Sequence, residues 1–152
     1  MELASRTSRD YSTSYTVGQS PEEVYAAVLD VGAWWTGQVE GRADAVGAEF
    51  TYRHPPQHYS RQRVVELEPG RRIAWRVTDS LLAFVPEQRE WIGTEIVFDI
   101  APTAGGTELR FTHVGLVPDV ECFGACSTAW LHYINGSLRS LITTGAGLPD
   151  PW

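Results

Sequence analysis

Lysine is absent from this chain: all 12 basic residues are arginine, set against 19 acidic ones, and the formal charge is −7. A balance that acidic disfavours nucleic acid and anionic membrane as main partners. Long apolar runs are missing too. None approaches the roughly 18 residues that a bilayer-spanning helix needs, so no membrane insertion is expected. The opening "MELASRTSRDYSTSY" lacks the apolar stretch of a secretory signal, which makes a cytoplasmic protein the expectation. Cysteine is scarce, with only Cys122 and Cys126 in "ECFGAC". Two thiols in a chain of 152 residues fit reduced side chains better than a disulfide framework. Their spacing is also poor for zinc, which favours closer ligand pairs, so no metal site is expected. No Gly-rich phosphate loop follows a strand, and no Ser/His/Asp motif sits where a nucleophilic triad needs it.

What is present is a single domain's worth of chain, long enough to bury its own core. Residues 1–12 are polar and read as a flexible N-terminus, 13–145 as one folded domain, and 146–152 ("AGLPDPW") as a C-terminal tail. "TSYTVGQ" offers a short strand. In "SPEEVYAAVLDV", Ser20 fits an N-cap, Pro21 the first helical position and Glu23 the partner of a capping box. Val24, Ala27, Val28 and Val31 then recur at helical spacing. Next comes "DVGAWWTG", with Trp34 beside Trp35. Adjacent side chains diverge on a helix and on a strand alike, so one indole enters a core easily and the other needs a further role.

Strand signals dominate the middle. "GAEFTYRH" alternates, with Phe50, Tyr52 and His54 on one face. "SRQRVVELEPG" and "RRIAWRVTDS" read as strands joined at a Pro-Gly turn. "TEIVFDIAPTAGGTELRFTHVGL" reads as a Gly-Gly hairpin, with Ile96, Phe98 and Ile100 on one face and Leu109, Phe111 and His113 on the other strand's matching face. Beyond Pro118, Phe123, Ser127, Trp130, Ile134, Leu138 and Leu141 recur at steps of three and four, predicting a long amphipathic helix that ends near Gly145. Strands adjacent in sequence with helices outside the run make this an α+β fold.

The segments "SPEEVYAAVLDVGAWW", "GAEFTYR", "VVELEPGRRIAWRV" and "GTELRFTHVGL", followed by a Trp-containing C-terminal helix, occur in an order that resembles the START-like (SRPBCC) superfamily. Within it, they resemble the Activator of Hsp90 ATPase homologue-like branch. The resemblance spans roughly Tyr15 to Thr143. It implies a helix-grip fold, in which a curved antiparallel sheet wraps a long C-terminal helix around a cavity. It also implies binding of apolar small molecules such as lipids or polyketides, with no cofactor. A minority of the superfamily are cyclases or dehydratases, and the branch name does not by itself imply an Hsp90 partner.

In that frame one tandem indole anchors the core and the other, Trp35 on the family pattern, faces the cavity mouth or solvent rim. The expected ligand-binding residues are Trp35, Tyr52, His54, Arg63, Trp75, Phe98, Phe111, His113 and Trp130. The aromatics are also ordinary core fillers, but so many flat rings between a sheet and one helix favour a small-molecule site with a few polar anchors. Arg63 shares the parity of Val65 and Leu67, so if those point inward it does as well, and it then needs a partner or an anionic ligand. A bulge would instead carry it to the rim, near Glu49 or Glu95. His54 and His58 flank a proline loop and read equally well as surface residues. An enzyme would use His113, or Tyr52, as its acid/base. A regulatory or chaperone-associated module would instead show a large exposed apolar patch. The sequence leaves room for a homodimer and does not name the ligand.

Overall fold

The computed structural model describes residues 10–35, 38–54, 58–82, 89–120 and 122–148. The elements in chain order are β1 (Tyr11–Val17), α1 (Pro21–Leu29), α2 (Val31–Trp34), β2 (Gln38–Gly41), β3 (Glu49–His54), β4 (His58–Glu68), β5 (Arg72–Leu82), β6 (Glu95–Thr103) and β7 (Gly106–Val114). A C-terminal helix follows, built from α3 (Phe123–Trp130), a π-helical segment (Leu131–Leu138) and α4 (Arg139–Thr144). All strands join one seven-stranded antiparallel sheet in the order β1-β7-β6-β5-β4-β3-β2. The sheet curves around the C-terminal helix, and this is the helix-grip α+β fold.

Local chemistry explains most boundaries. Ser20 accepts from the Glu23 amide, and the Glu23 carboxylate accepts from the Ser20 amide, so both halves of the capping box are made. The helix breaks after Leu29, where Asp30 leaves helical geometry, and Val31 begins the separate short turn α2. β1 starts at Tyr11, two positions inside the stretch read as frayed. It is anchored by a full register against β7 from Tyr11↔His113 to Val17↔Thr107. The expected Gly-Gly hairpin is the β6–β7 turn, closing at Thr103↔Gly106. The short edge strand β2 has no alternation of its own in the sequence, and it exists by pairing with β3.

The C-terminal helix departs from an ideal α-helix in a way its sequence records. Cys122, Cys126, Trp130, Ile134, Leu138 and Ile142 are all buried, at a strict four-residue step. Four residues of α-helix overshoot a full turn by about 40°, so such a stripe would wind away from the sheet. The wider turns of the π segment take up that excess and hold the stripe inward. Ile142 therefore occupies the core position expected of Leu141, which is only half-buried. Two β1 side chains fasten the segment: the Tyr15 hydroxyl donates to the Ile134 carbonyl at 2.8 Å, and the Thr13 hydroxyl to Asn135 Oδ1 at 3.0 Å. After the helix, the Leu148 amide donates to Ser137 Oγ, whose hydroxyl donates to the Trp34 carbonyl. Gly147 is needed for this docking, because a Cβ there would lie 2.1 Å from the Ala33 carbonyl oxygen.

Candidate functional site

The site is the interior of the grip, where the sheet's concave face, the α2 segment and the C-terminal helix meet. The tandem tryptophans set its geometry. Trp34 ends α2 and Trp35 has extended backbone (φ −94°, ψ 127°), so the chain changes conformation between them. That change turns both indoles to the same side, and both are buried. Neither indole therefore stands at a solvent rim. The rings are nearly parallel, at 7° and 6.0 Å between centroids. The Trp34 indole N–H donates to the Val28 carbonyl, which ties the pair to α1.

Around them the other rings assemble. Trp35 stacks on Tyr52 of β3 at 4.1 Å and leans on Trp130 of the helix at 5.1 Å. Trp75 of β5 lies parallel to both tandem indoles at 6.5 Å, with Phe50 and Phe98 edge-on to it. Phe98 meets Phe111 across the β6–β7 ladder, and Phe111 meets Trp130 at 4.6 Å. Of the residues expected from the sequence, the fold thus gathers Trp35, Tyr52, Trp75, Phe98, Phe111, His113 and Trp130 in one connected cluster. The side chain of His54 lies outside the described residues.

Arg63 is a correction. The inward residues of β4 are Ser60, Gln62 and Val64, while Arg61, Arg63 and Val65 face out and are exposed. Register shifts at Arg61/Gln62 and Val64/Glu66 mark irregular pairing with β5, and Leu67 is only half-buried. The parity counted back from Leu67 therefore fails. Arg63 sits on the convex face opposite Glu49 and Arg76, and it is no anchor for a ligand in the grip.

His113 is fully buried and both of its ring nitrogens are engaged. The Trp130 indole N–H, which can only donate, gives its proton to Nδ1 at 3.0 Å. Nε2 therefore carries the ring proton and donates to Thr94 Oγ1 at 2.8 Å, while the Thr94 hydroxyl donates to the Trp91 carbonyl at 2.6 Å. Burial, with the nearby His58 adding to it, pushes the His113 pKa down to about 3. The imidazole is neutral at ordinary pH, and its one lone pair is already spent on Trp130. It holds the helix to the sheet and offers nothing to a substrate. Tyr52 is no better as a base. Burial first, and Tyr133 beside it, push its hydroxyl well above the usual phenol range.

Three groups in this interior were not expected there from the sequence. Trp91 lies in the turn before β6, where the surrounding sequence has no clear period. It is buried, stacks on Trp130 at 5.8 Å and meets His113 edge-on at 4.7 Å. His58, expected at the surface, lies edge-on to Tyr52 at 5.0 Å and to Trp91 at 4.6 Å. Ser60, Gln62 and Ser80 form a buried polar row on β4 and β5. Gln62 Nε2 donates to Ser60 Oγ at 2.5 Å, yet Gln62 Oε1, Ser80 Oγ and Trp75 Nε1 have no hydrogen-bond partner among the described residues. Strict alternation counted from Val64 would have found Gln62 and Ser60. At the other end of the helix, Cys122 and Cys126 are buried free thiols. The hydrogen bond from Cys126 holds Cys122 below the usual thiol range and pushes Cys126 above it. Among the described residues, no group of three or more His, Cys, Asp or Glu side chains comes together as a metal site would need.

Comparison with known proteins adds to this geometry. The family model described as Activator of Hsp90 ATPase homolog 1-like protein matches residues 19–143. The solution structure of the Aha1 dimer from Colwellia psychrerythraea is 26% identical, with a TM-score of 0.72, covering 91% of this chain and 98% of that one. Protein MLL2253 from Mesorhizobium loti is 21% identical, with a TM-score of 0.70 over 88% of this chain and 96% of that one. DynU16, a protein in the dynemicin biosynthetic locus, shares the fold at 19% identity and a TM-score of 0.69, covering 91% of this chain and 49% of that one. Among curated proteins no match was found.

Proposed function

The chain belongs to the family of Activator of Hsp90 ATPase homolog 1-like proteins, a branch of the START-like (SRPBCC) superfamily, and on that premise we propose that it binds an apolar or aromatic small molecule, lipid- or polyketide-like, between the curved sheet and the C-terminal helix. One observation carries the reading. Rings from β3, β5, the residue that follows α2 and the C-terminal helix converge on an interior that also holds buried polar atoms without partners among the described residues. A sealed protein core leaves few such atoms, because each costs about 1–3 kcal/mol. A small-molecule site is where they are normally found, set among apolar walls. Trp35, Tyr52, Trp75, Phe98, Phe111 and Trp130 are the walls in this reading.

Native mass spectrometry of the protein purified from its own host tests the proposal. A retained organic molecule that dissociates on unfolding is the expected result. A bare polypeptide mass from every growth condition, with no response to added aromatic probes, counts against it. The occurrence of DynU16 in a biosynthetic locus raises an enzymatic reading of the cyclase or dehydratase kind. That reading needs a titratable group open to substrate, and His113 and Tyr52 are both unsuited for the reasons given above. Binding without catalysis is therefore preferred. The Colwellia relative is a dimer, and a homodimer belongs to the same proposal, tested by light scattering in solution.

A further inference from the structure

Of the unpartnered buried atoms among the described residues, Gln62 Oε1, Ser80 Oγ and Trp75 Nε1 fall together on β4 and β5, while Trp91 Nε1 belongs to the ring beside His113 and Trp130. Ser60 stands directly opposite Ser80 across β4 and β5, Gln62 opposite Val77, and Val64 opposite Trp75. Gln62 and the Trp75 indole are thus diagonal neighbours on the concave face, with Ser80 one row further on. The register shift after Arg61 leaves Thr78 unmatched, so both Val77 and Ser80 turn inward. Tyr52, which carries the stacked Trp35, is opposite Ser60 on the other side. The patch therefore lies beside the closely stacked Trp35–Tyr52 pair.

The chemistry of the patch is specific. Because Gln62 Nε2 is committed to Ser60, its Oε1 is left as a pure acceptor. Trp75 Nε1 is a pure donor, and the Ser80 hydroxyl can do either. None of them is charged. The buried polar side chains of the described structure are Ser60, Gln62, Ser80, Thr107, His113 and Ser137, so no carboxylate, guanidinium or ammonium lies buried to neutralise an ionic ligand. An ion would lose its hydration here without compensation. A neutral group that both donates and accepts would satisfy what the protein leaves open.

We propose that Gln62, Ser80 and the Trp75 indole N–H form the polar end of the ligand site, and that they select an uncharged, flat aromatic molecule bearing a hydroxyl or amide group. This rests on the small-molecule reading above and narrows it from apolar ligands in general to neutral aromatic ones with one hydrogen-bonding group. The ring lies against Trp35 and Trp75, and its polar group reaches Gln62 Oε1 as donor and the Trp75 N–H as acceptor. Carboxylate ligands, fatty acids among them, are disfavoured.

Naphthol, naphthalene and naphthoate have the same ring system and differ in the group presented to the patch. Isothermal calorimetry with each, at neutral pH, tests the proposal. Naphthol is expected to bind at least about tenfold tighter than naphthalene, with naphthoate the weakest. In the Gln62→Leu/Ser80→Ala double variant the naphthol advantage should shrink to within about twofold, while naphthalene affinity is retained. If the double variant does not fold, Ser80→Ala alone carries the same comparison, with a smaller but measurable loss. Equal binding of naphthol and naphthalene by the unmodified protein overturns the polar end and leaves the small-molecule reading standing. Naphthoate binding tightest overturns it as well. Failure of all three to bind overturns this inference, while the small-molecule reading is decided separately by the native mass spectrometry above.

Discussion

Two polar neighbourhoods lie inside the same grip, and they are built on opposite principles. At His113, both ring nitrogens and the groups they meet are paired, indole to imidazole, imidazole to Thr94 and Thr94 to the Trp91 backbone, and the Trp91 indole N–H is left as an orphan beside them among the described residues. Around Gln62, the protein fills one bond and leaves the rest open. A closed network rigidifies and specifies a core. An open one costs folding free energy and makes sense where something else completes it. The first reads as structure and the second as recognition, although the sequence marks His113 as the more obvious functional residue.

The comparison can be broken by substitution. The largest effect is expected at His113→Ala, which opens a cavity and strands the Trp130 N–H. Urea unfolding should show a loss of roughly 3–5 kcal/mol. A loss below about 1 kcal/mol would mean the network is not structural. Acid should strike the same place. The His113 pKa is depressed in the folded state, so between an ordinary value near 6.5 and about 3 the unfolded chain binds the extra proton. Stability should therefore fall as pH drops through that window, by about 1.4 kcal/mol for each pH unit attributable to this residue. A His113→Gln variant, followed over the same range, should lack that part of the slope. The Gln62→Leu/Ser80→Ala variant should keep it.

At the open end the sign reverses. Ser80→Ala removes an unsatisfied buried atom without breaking a hydrogen bond, so the unliganded protein should be unchanged or up to about 1 kcal/mol more stable by thermal unfolding. A loss of several kcal/mol from Ser80→Ala would show that its hydroxyl is part of a closed network after all. The smallest effect is expected at Arg63→Ala. An exposed arginine on the convex face should change stability by no more than about 0.5 kcal/mol. It should leave the binding of neutral aromatic probes untouched, whereas an inward anchor would not.

How far the sequence could be read differs along the chain. The capping box at Ser20 and Glu23 and the hairpin closing at Thr103 and Gly106 are local, and their residues dictate them. The C-terminal helix was legible, but its π segment was not drawn from the apolar spacing, although the four-residue stripe from Cys122 to Ile142 records it. Trp91 had no local signal, because its burial comes from a turn folding over His113 and Trp130. On β4 the parity counted from Leu67 put Arg63 inward and a bulge put it near Glu49; the second holds, since one irregularity in the ladder inverts the parity of everything counted across it.

The pattern of apolar and polar residues, with its caps and turns, was enough to determine an antiparallel sheet gripping a C-terminal helix. It also determined an interior rich in aromatic rings. Those follow from periodicity, which is a property of neighbours in the chain. Only the tertiary structure decided which polar groups among those rings are satisfied. Hydrogen-bond satisfaction joins residues far apart in sequence, such as Trp130 to His113 and β4 to β5, so no local window contains it. It also decided that Trp34 and Trp35 face the same way, because that depends on a single backbone change between them.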